Sequence, residues 1–173
     1  GVHLAAKIGE EIKNYEILDF ILKNYSDYVY NVNFFSFNFM NYLGVSDKVL
    51  NLVKKNKNID WFRLFIHKAT DSESTYLSRI FLSGSFKFIE YVYENFLKDM
   101  MNSMIKDENY EINKYQQIFT MLIENLNIKN EELIKFYDKI DNEILNSIAF
   151  RGSSMILFAI KFRNLQVIKY LVE

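Results

Sequence analysis

The only imidazoles in the chain are His3 and His67, and there is no cysteine. Nucleophilic hydrolysis needs a Ser, Thr or Cys beside a base that a third group orients. His67 stands between Ile66 and Lys68, with no acid closer than Asp71. Two His and no Cys cannot close a zinc site without carboxylates at matched spacing, and none stands there. Phosphate cradles need clustered glycines at a strand-to-helix turn, whereas the 5 glycines, Gly1, Gly9, Gly44, Gly84 and Gly152, are isolated. The acid pairs Glu10-Glu11, Asp107-Glu108 and Glu131-Glu132 are adjacent residues, which on a helix do not face each other. The chemistry on offer is therefore recognition. No catalytic residue, metal or cofactor is expected. The signal that remains is 16 Phe, 12 Tyr and 1 Trp, the side chains that dominate protein interfaces as well as cores.

The elements that must position these side chains are helices. Ile17, Leu18, Ile21 and Leu22 follow one buried helix face, as do Val49, Leu52 and Val53, and Phe88, Ile89, Val92 and Tyr93. Alternation over a strand length is confined to Phe35-Ser36-Phe37-Asn38-Phe39. With 173 residues and half of them hydrophobic, the chain is long enough for one self-sufficient core. Ile, Asn, Lys, Phe and Tyr supply 84 residues. AT-rich codons encode all five, so an isolated Asn or Lys carries little functional weight. The lack of Cys fits a reducing, intracellular compartment, expected here to be the cytoplasm. No run of about 18 uncharged apolar residues marks a membrane span.

One tail recurs at the ends of successive amphipathic helices: Ile21-Leu22-Lys23-Asn24, Leu52-Val53-Lys54-Lys55-Asn56, Val92-Tyr93-Glu94-Asn95, Leu122-Ile123-Glu124-Asn125 and Leu171-Val172-Glu173. Two apolar residues are followed by charge and, in four copies, by Asn, which tolerates the left-handed conformation that closes a helix. The first apolar positions lie 31, 40, 30 and 49 residues apart, a unit near 30 residues with insertions. Recurrence at that period is the mark of stacked helix pairs.

These units resemble the ankyrin repeat, a turn and two antiparallel helices with Thr-Pro-Leu-His-x-Ala early in the first. Gly152 to Val172 matches without a gap, Ser154 standing for Thr, Ile156 for Leu and Ala159 for Ala. Val2-His3-Leu4-Ala5-Ala6 keeps the His and both Ala, followed by about four extra residues before Ile17. Ser74 to Ser78, running on to Gly84, is a third copy, with Thr75 as cap. Asn56-Lys57-Asn58-Ile59-Asp60 is similar to the segment that leaves one unit and enters the next. No copy keeps Pro, and the expected fold is an all-α, ankyrin-type helical-repeat solenoid with insertions. Its repeats fall roughly at 1–32, 33–60, 73–96, 97–128 and 150–173 of a single domain, with inserted segments 61–72 and 129–149. The first insertion reads as an added helical turn or a projecting finger. The second reads as an extra helix capped by Asn130, with Leu133, Ile134, Phe136, Tyr137, Ile140, Ile144 and Leu145 at helical spacing.

The resemblance implies a protein partner held by the concave face and the turn tips. Carried over copy by copy, those places are Lys7; Phe34 and Tyr42; Ser74; and Phe150, Arg151, Ser153 and Phe162, with Trp61, Phe62 and Arg63 in the first insertion. Trp61 is either an exposed interface anchor or folds back onto the neighbouring helix pair. A nucleic-acid-binding helical repeat and a purely architectural spacer are the competing readings. A net charge of −1 argues against phosphate-backbone binding, and Lys48, Lys54, Lys55 and Lys57 suit a helix end. The chain starts inside a first helix and stops in a second without a polar capping unit, as expected of a piece of a longer array.

Overall fold

The computed structural model describes residues 1–33, 36–68, 74–101, 112–140, 145, 149–150 and 153–173. It is all-α: the strands among the described residues are Ala149–Phe150 (β1) and Ser153–Ser154 (β2), paired antiparallel with Phe150 in register with Ser153. The helices are Val2–Ile12 (α1), Glu16–Asn24 (α2), Asp47–Lys55 (α3), Trp61–Ile66 (α4), Tyr76–Ser83 (α5), Phe86–Val92 (α6), Ile112–Met121 (α7), Asn130–Tyr137 (α8), Met155–Lys161 (α9) and Leu165–Val172 (α10). Chain contacts divide into two compact units, Gly1–Arg79 and Ile80–Glu173.

In the first unit α1 and α2 form a helical hairpin. Val2, Ala5, Ala6 and Gly9 bury one stripe of α1, while Leu18 and Leu22 bury the facing stripe of α2. Ile17 leaves the expected buried set and is exposed. The alternating stretch near Phe37 is not a strand. Ser36 takes φ 58°, and Asn38 caps the 3₁₀ turn Phe39–Tyr42 by accepting from the Met40 N–H. Where a first helix is expected, this copy therefore has a single turn. His3 and His67 both serve that segment: His3 Nε2 lies 2.9 Å from the Phe37 carbonyl and His67 Nε2 lies 2.7 Å from that of Ser36.

Asp60 caps α4 by accepting from the Arg63 N–H. Trp61 is 2% exposed, its ring 6.2 Å from Phe39 and 6.1 Å from Phe65. Its indole N–H donates to the Asn56 carbonyl at 2.8 Å. The first insertion thus begins as an added helix folded into the core, and the projecting Trp61 anchor is corrected. Satisfying a large amphipathic ring costs less free energy inside, where both its apolar area and its N–H find partners, than in water. Phe65 continues the stack onto Tyr76, whose phenol donates to the Gly44 carbonyl.

In the second unit, Phe81, Tyr93, Phe119 and Phe136 pack ring against ring at centroid distances of 5.1–6.3 Å. The Tyr93 and Tyr137 hydroxyls donate hydrogen bonds to the Lys139 and Phe119 carbonyls. Much of the aromatic excess is therefore core. The tail at Val92-Tyr93-Glu94-Asn95 does not end its helix: α6 passes through a π turn over Tyr93–Leu97 and stays helical to residue 101. The second insertion contains the expected helix, α8. Its cap is Lys129, whose N–H donates to Glu132, and Asn130 is its first residue. Ile144 lies outside the described residues.

Candidate functional site

Two local devices recur. The first closes the α1–α2 and α9–α10 hairpins alike as far as the Asn, the second helix then starting two residues after Asn14 and directly after Asn164. Lys13 and Arg163 both take φ 53°, and the next N–H donates five residues back, Asn14 to Gly9 at 3.0 Å and Asn164 to Ala159 at 2.9 Å. Each Asn side chain then accepts a backbone N–H of the second helix, from Glu16 and from Val167. The left-handed residue thus follows the first helix, directly after α1 and two residues after α9, and is not the tail Asn as expected. Helix α1 has 11 residues and α9 has 7, so the extra residues of the first copy are one added helical turn.

The second device uses the tail Asn. Asn24, Asn56 and Asn95 each donate to the carbonyl four residues back. Asn56 and Asn125 are also buried, and each is followed by a second Asn two positions on. Asn56 donates to Asp19 at 2.7 Å and Asn58 to the Leu22 carbonyl at 3.4 Å. Asn125 donates to the Phe81 and Gly84 carbonyls, both at 3.0 Å, and Asn127 to that of Ser83 at 2.7 Å. The last carbonyls of a helix have no partner within it. These paired Asn residues supply one, closing α2 and α5 from the chain that follows. Between them stand Lys57 and Leu126, and Leu126 is 99% exposed.

Charge is used locally. Lys13 and Tyr15 donate to the two Glu10 carboxylate oxygens, the Tyr15 bond being 2.5 Å. Partial burial works against the Glu10 charge, but these bonds and one from the Gly44 backbone outweigh it and hold the carboxyl below its ordinary range. A Cβ on Gly44 would lie 2.7 Å from Glu10 Oε1, so only glycine lets the carboxylate approach. Asp19 is likewise held low: burial opposes its charge, and hydrogen bonds from Lys23 and Asn56 overcome it. Lys54 and Lys55 lie in the last turn of α3, as expected for a helix end. Lys48 does not; it lies in the first turn and donates to the Lys13 carbonyl.

Of the residues singled out for contact, Lys7, Arg63, Ser74 and Phe162 are exposed and Phe62 is half-buried. Arg63 stacks over the Tyr30 ring at 4.7 Å. Tyr42 is half-buried; its hydroxyl accepts from Asn33 and its ring meets His3 edge-on. Phe150 and Ser153 lie in the β1–β2 pair ahead of α9. Phe34 and Arg151 lie outside the described residues. Ser154, expected to cap α9, makes no side-chain cap bond, whereas Thr75 does accept from the Ser78 N–H.

No family model, curated protein or solved structure matches this chain. Among the described residues, no helix is long and apolar enough to cross a membrane.

The sequence reading missed an apolar surface. Leu4, Ile8 and Ile12 run up α1 at a spacing of four and are exposed, beside exposed Ile17 on α2. They line a groove of about 360 Å³. Their spacing was visible, but it runs beside the buried Ala5 and Gly9, which line the same groove, and spacing does not tell which of two adjacent stripes is covered. Leu126 was also missed, because one Leu in a polar turn has no periodicity to reveal it.

Proposed function

We propose that this chain is a non-catalytic protein-recognition module built from degenerate ankyrin-type helix pairs, and that its turn tips carry the specificity. The observation that carries the reading is the pair of Asn-x-Asn turns. The same two Asn positions pin each turn to an earlier helix, α2 or α5, while the residue between them differs, Lys57 in one and Leu126 in the other. A fixed frame with a variable exposed tip loses little ordering entropy on binding. Leu126, held out by its pinned neighbours, is the kind of apolar side chain that gains most from burial by a partner.

The test is quantitative capture of partners from native extract, by wild type and by Leu126→Asp. The variant is expected to fold with an unchanged melting temperature and to lose at least about tenfold in binding, the effect of a hot-spot residue. Wild-type binding should change little with salt. Equal capture by both proteins would remove the turn from the interface, and a steep fall with salt would point to phosphate contacts instead.

A further inference from the structure

The α1–α2 hairpin shows solvent a face that folding ordinarily covers. Leu4, Ile12, Ile17 and Phe20 are each more than half exposed, and exposed Ile8 stands between the first two. Ala5 and Gly9 floor the groove beside the Leu4–Ile8–Ile12 row, and Ile17 and Ile21 line it from α2. A continuous apolar patch of this kind marks an interaction surface, and the charges beside it decide which partner fits. Helix α1 has three charged residues, Lys7, Glu10 and Glu11. Glu10 is held by Lys13 and Tyr15. Lys7 and Glu11 are exposed, and among the described residues neither enters an ion pair, although they stand one turn apart. At about 100° per residue both lie on one flank of the apolar row, roughly 80° from its middle, where a coiled coil carries the charges that choose its partner.

These charges complement themselves. Let α1 lie antiparallel to α1 of a second copy, about a two-fold axis at the level of Gly9. Lys7 then stands level with the partner's Glu11, and Glu11 with the partner's Lys7, because Gly9 is midway between them. The same axis interleaves the apolar rows at even steps of about 3 Å: Leu4, the partner's Ile12, Ile8, the partner's Ile8, Ile12, the partner's Leu4. An axis at Ile8 would set the rows head-on, and one at Lys7 would set that lysine against itself. Glu16, at the Ile12 end of the groove, meets the start of the partner's α1, whose first turn has no acid and whose cap makes no side-chain bond.

We propose that the α1–α2 face of Leu4, Ile8, Ile12, Ile17 and Phe20 is the docking site for the same face of a second copy of this chain, with the two α1 helices antiparallel and two reciprocal Lys7–Glu11 pairs along their seam. The inference goes beyond the recognition reading and uses none of its turn tips. The contact is isologous, so it closes at two copies. Burial of the apolar rows drives it, while the charge pairs set the register and reject others.

Sedimentation analysis over a concentration series tests it. Wild type should pass from monomer to dimer and stop there. Lys7→Glu and Glu11→Lys each set like charges together twice and should weaken the dimer at least about tenfold. Both are exposed helix positions given good helix formers, so circular dichroism and melting should match wild type. An equimolar mixture of the two should form one-to-one dimers, because the acids of one variant face the bases of the other, and the doubly exchanged chain should dimerise as wild type does. Ile8→Glu should be monomeric alone and in every mixture. A wild type that stays monomeric to about 1 mM, a concentration that still detects weak association, overturns the proposal and leaves the face to another chain. So does growth beyond a dimer, a single variant that dimerises as wild type does, or a mixture or exchanged chain that stays monomeric.

Discussion

Replacing Asn125 tests whether the second helix pair is closed from the chain that follows it. Asn125 is 4% exposed and makes three hydrogen bonds: two donated to the Phe81 and Gly84 carbonyls and one accepted from the Asn127 N–H. At a net value of about 1 kcal/mol each, Asn125→Ala should cost about 3 kcal/mol. Asn24 occupies the same place in the first tail but is exposed and donates only to the Phe20 carbonyl of its own helix. Water replaces that bond, so Asn24→Ala should cost no more than about 0.5 kcal/mol, the usual size of a surface substitution.

Asn125→Asp is the sharper variant, because it keeps the shape and the acceptor for Asn127 but turns the donor into an oxygen facing two carbonyls. The carboxyl can relieve this only by staying protonated, so its folded pKa must rise above the unfolded value of about 4. Its deficit should therefore be smallest below pH 4 and widen as pH rises through the folded pKa. Urea unfolding of wild type and the three variants, at neutral and mildly acid pH with unchanged slope, measures both effects. Equal losses for Asn125→Ala and Asn24→Ala, or an Asp variant insensitive to pH, would refute the argument that Asn125 supplies carbonyls with a donor that nothing else can reach.

Trp61→Ala should cost about 3–5 kcal/mol, the range for a buried aromatic, and native Trp61 emission should be blue-shifted; emission at the solvent-exposed limit would return Trp61 to the surface. Tyr76→Phe should cost about 1 kcal/mol for its bond to Gly44. Tyr76→Pro should cost several times more by calorimetry, since the ring is lost although Pro suits a first helical residue; a rise in melting temperature would contradict the Phe65–Tyr76 stack. Glu10 and Asp19 have lowered folded pKa values, so their contribution is complete above the unfolded value of about 4 and is lost as pH falls through the folded one. Glu10→Gln should flatten the acid limb of the stability curve; an unchanged limb would show that its bonds to Lys13 and Tyr15 do not favour the charge.

Helix type and most helix ends were legible because they rest on local rules. Leu52-Val53-Lys54-Lys55-Asn56 ends α3 at Lys55, and Leu122-Ile123-Glu124-Asn125 ends in a 3₁₀ turn at Glu124. Asn95 misled because its helix widens into a π turn and continues, a choice set by burial of Tyr93 and Leu97 rather than by the tail itself. Trp61 was readable as amphipathic but not as inside or outside. Its N–H is satisfied by the Asn56 carbonyl, and that partner exists only once the turn has formed.

The exposed groove shows why the candidate site was harder to read than the fold. A helix pair inside a repeat stack needs apolar residues on both sides, one for the pair before and one for the pair after. Its periodicity therefore reports a wide stripe and not which half of the stripe is covered. Ile17-Leu18-Ile21-Leu22 is such a stripe: Leu18 and Leu22 are buried, Ile21 is half-buried and Ile17 is open. In α10 the helix start puts Val167 where α2 has Leu18, and both are fully buried. No property of the four residues separates the open Ile17 from the covered Leu18, because burial is decided by what the neighbouring segment brings. The covered position shows only once the bonds from the Asp19 N–H to Tyr15 and from the Ile168 N–H to Asn164 set the two second helices in register.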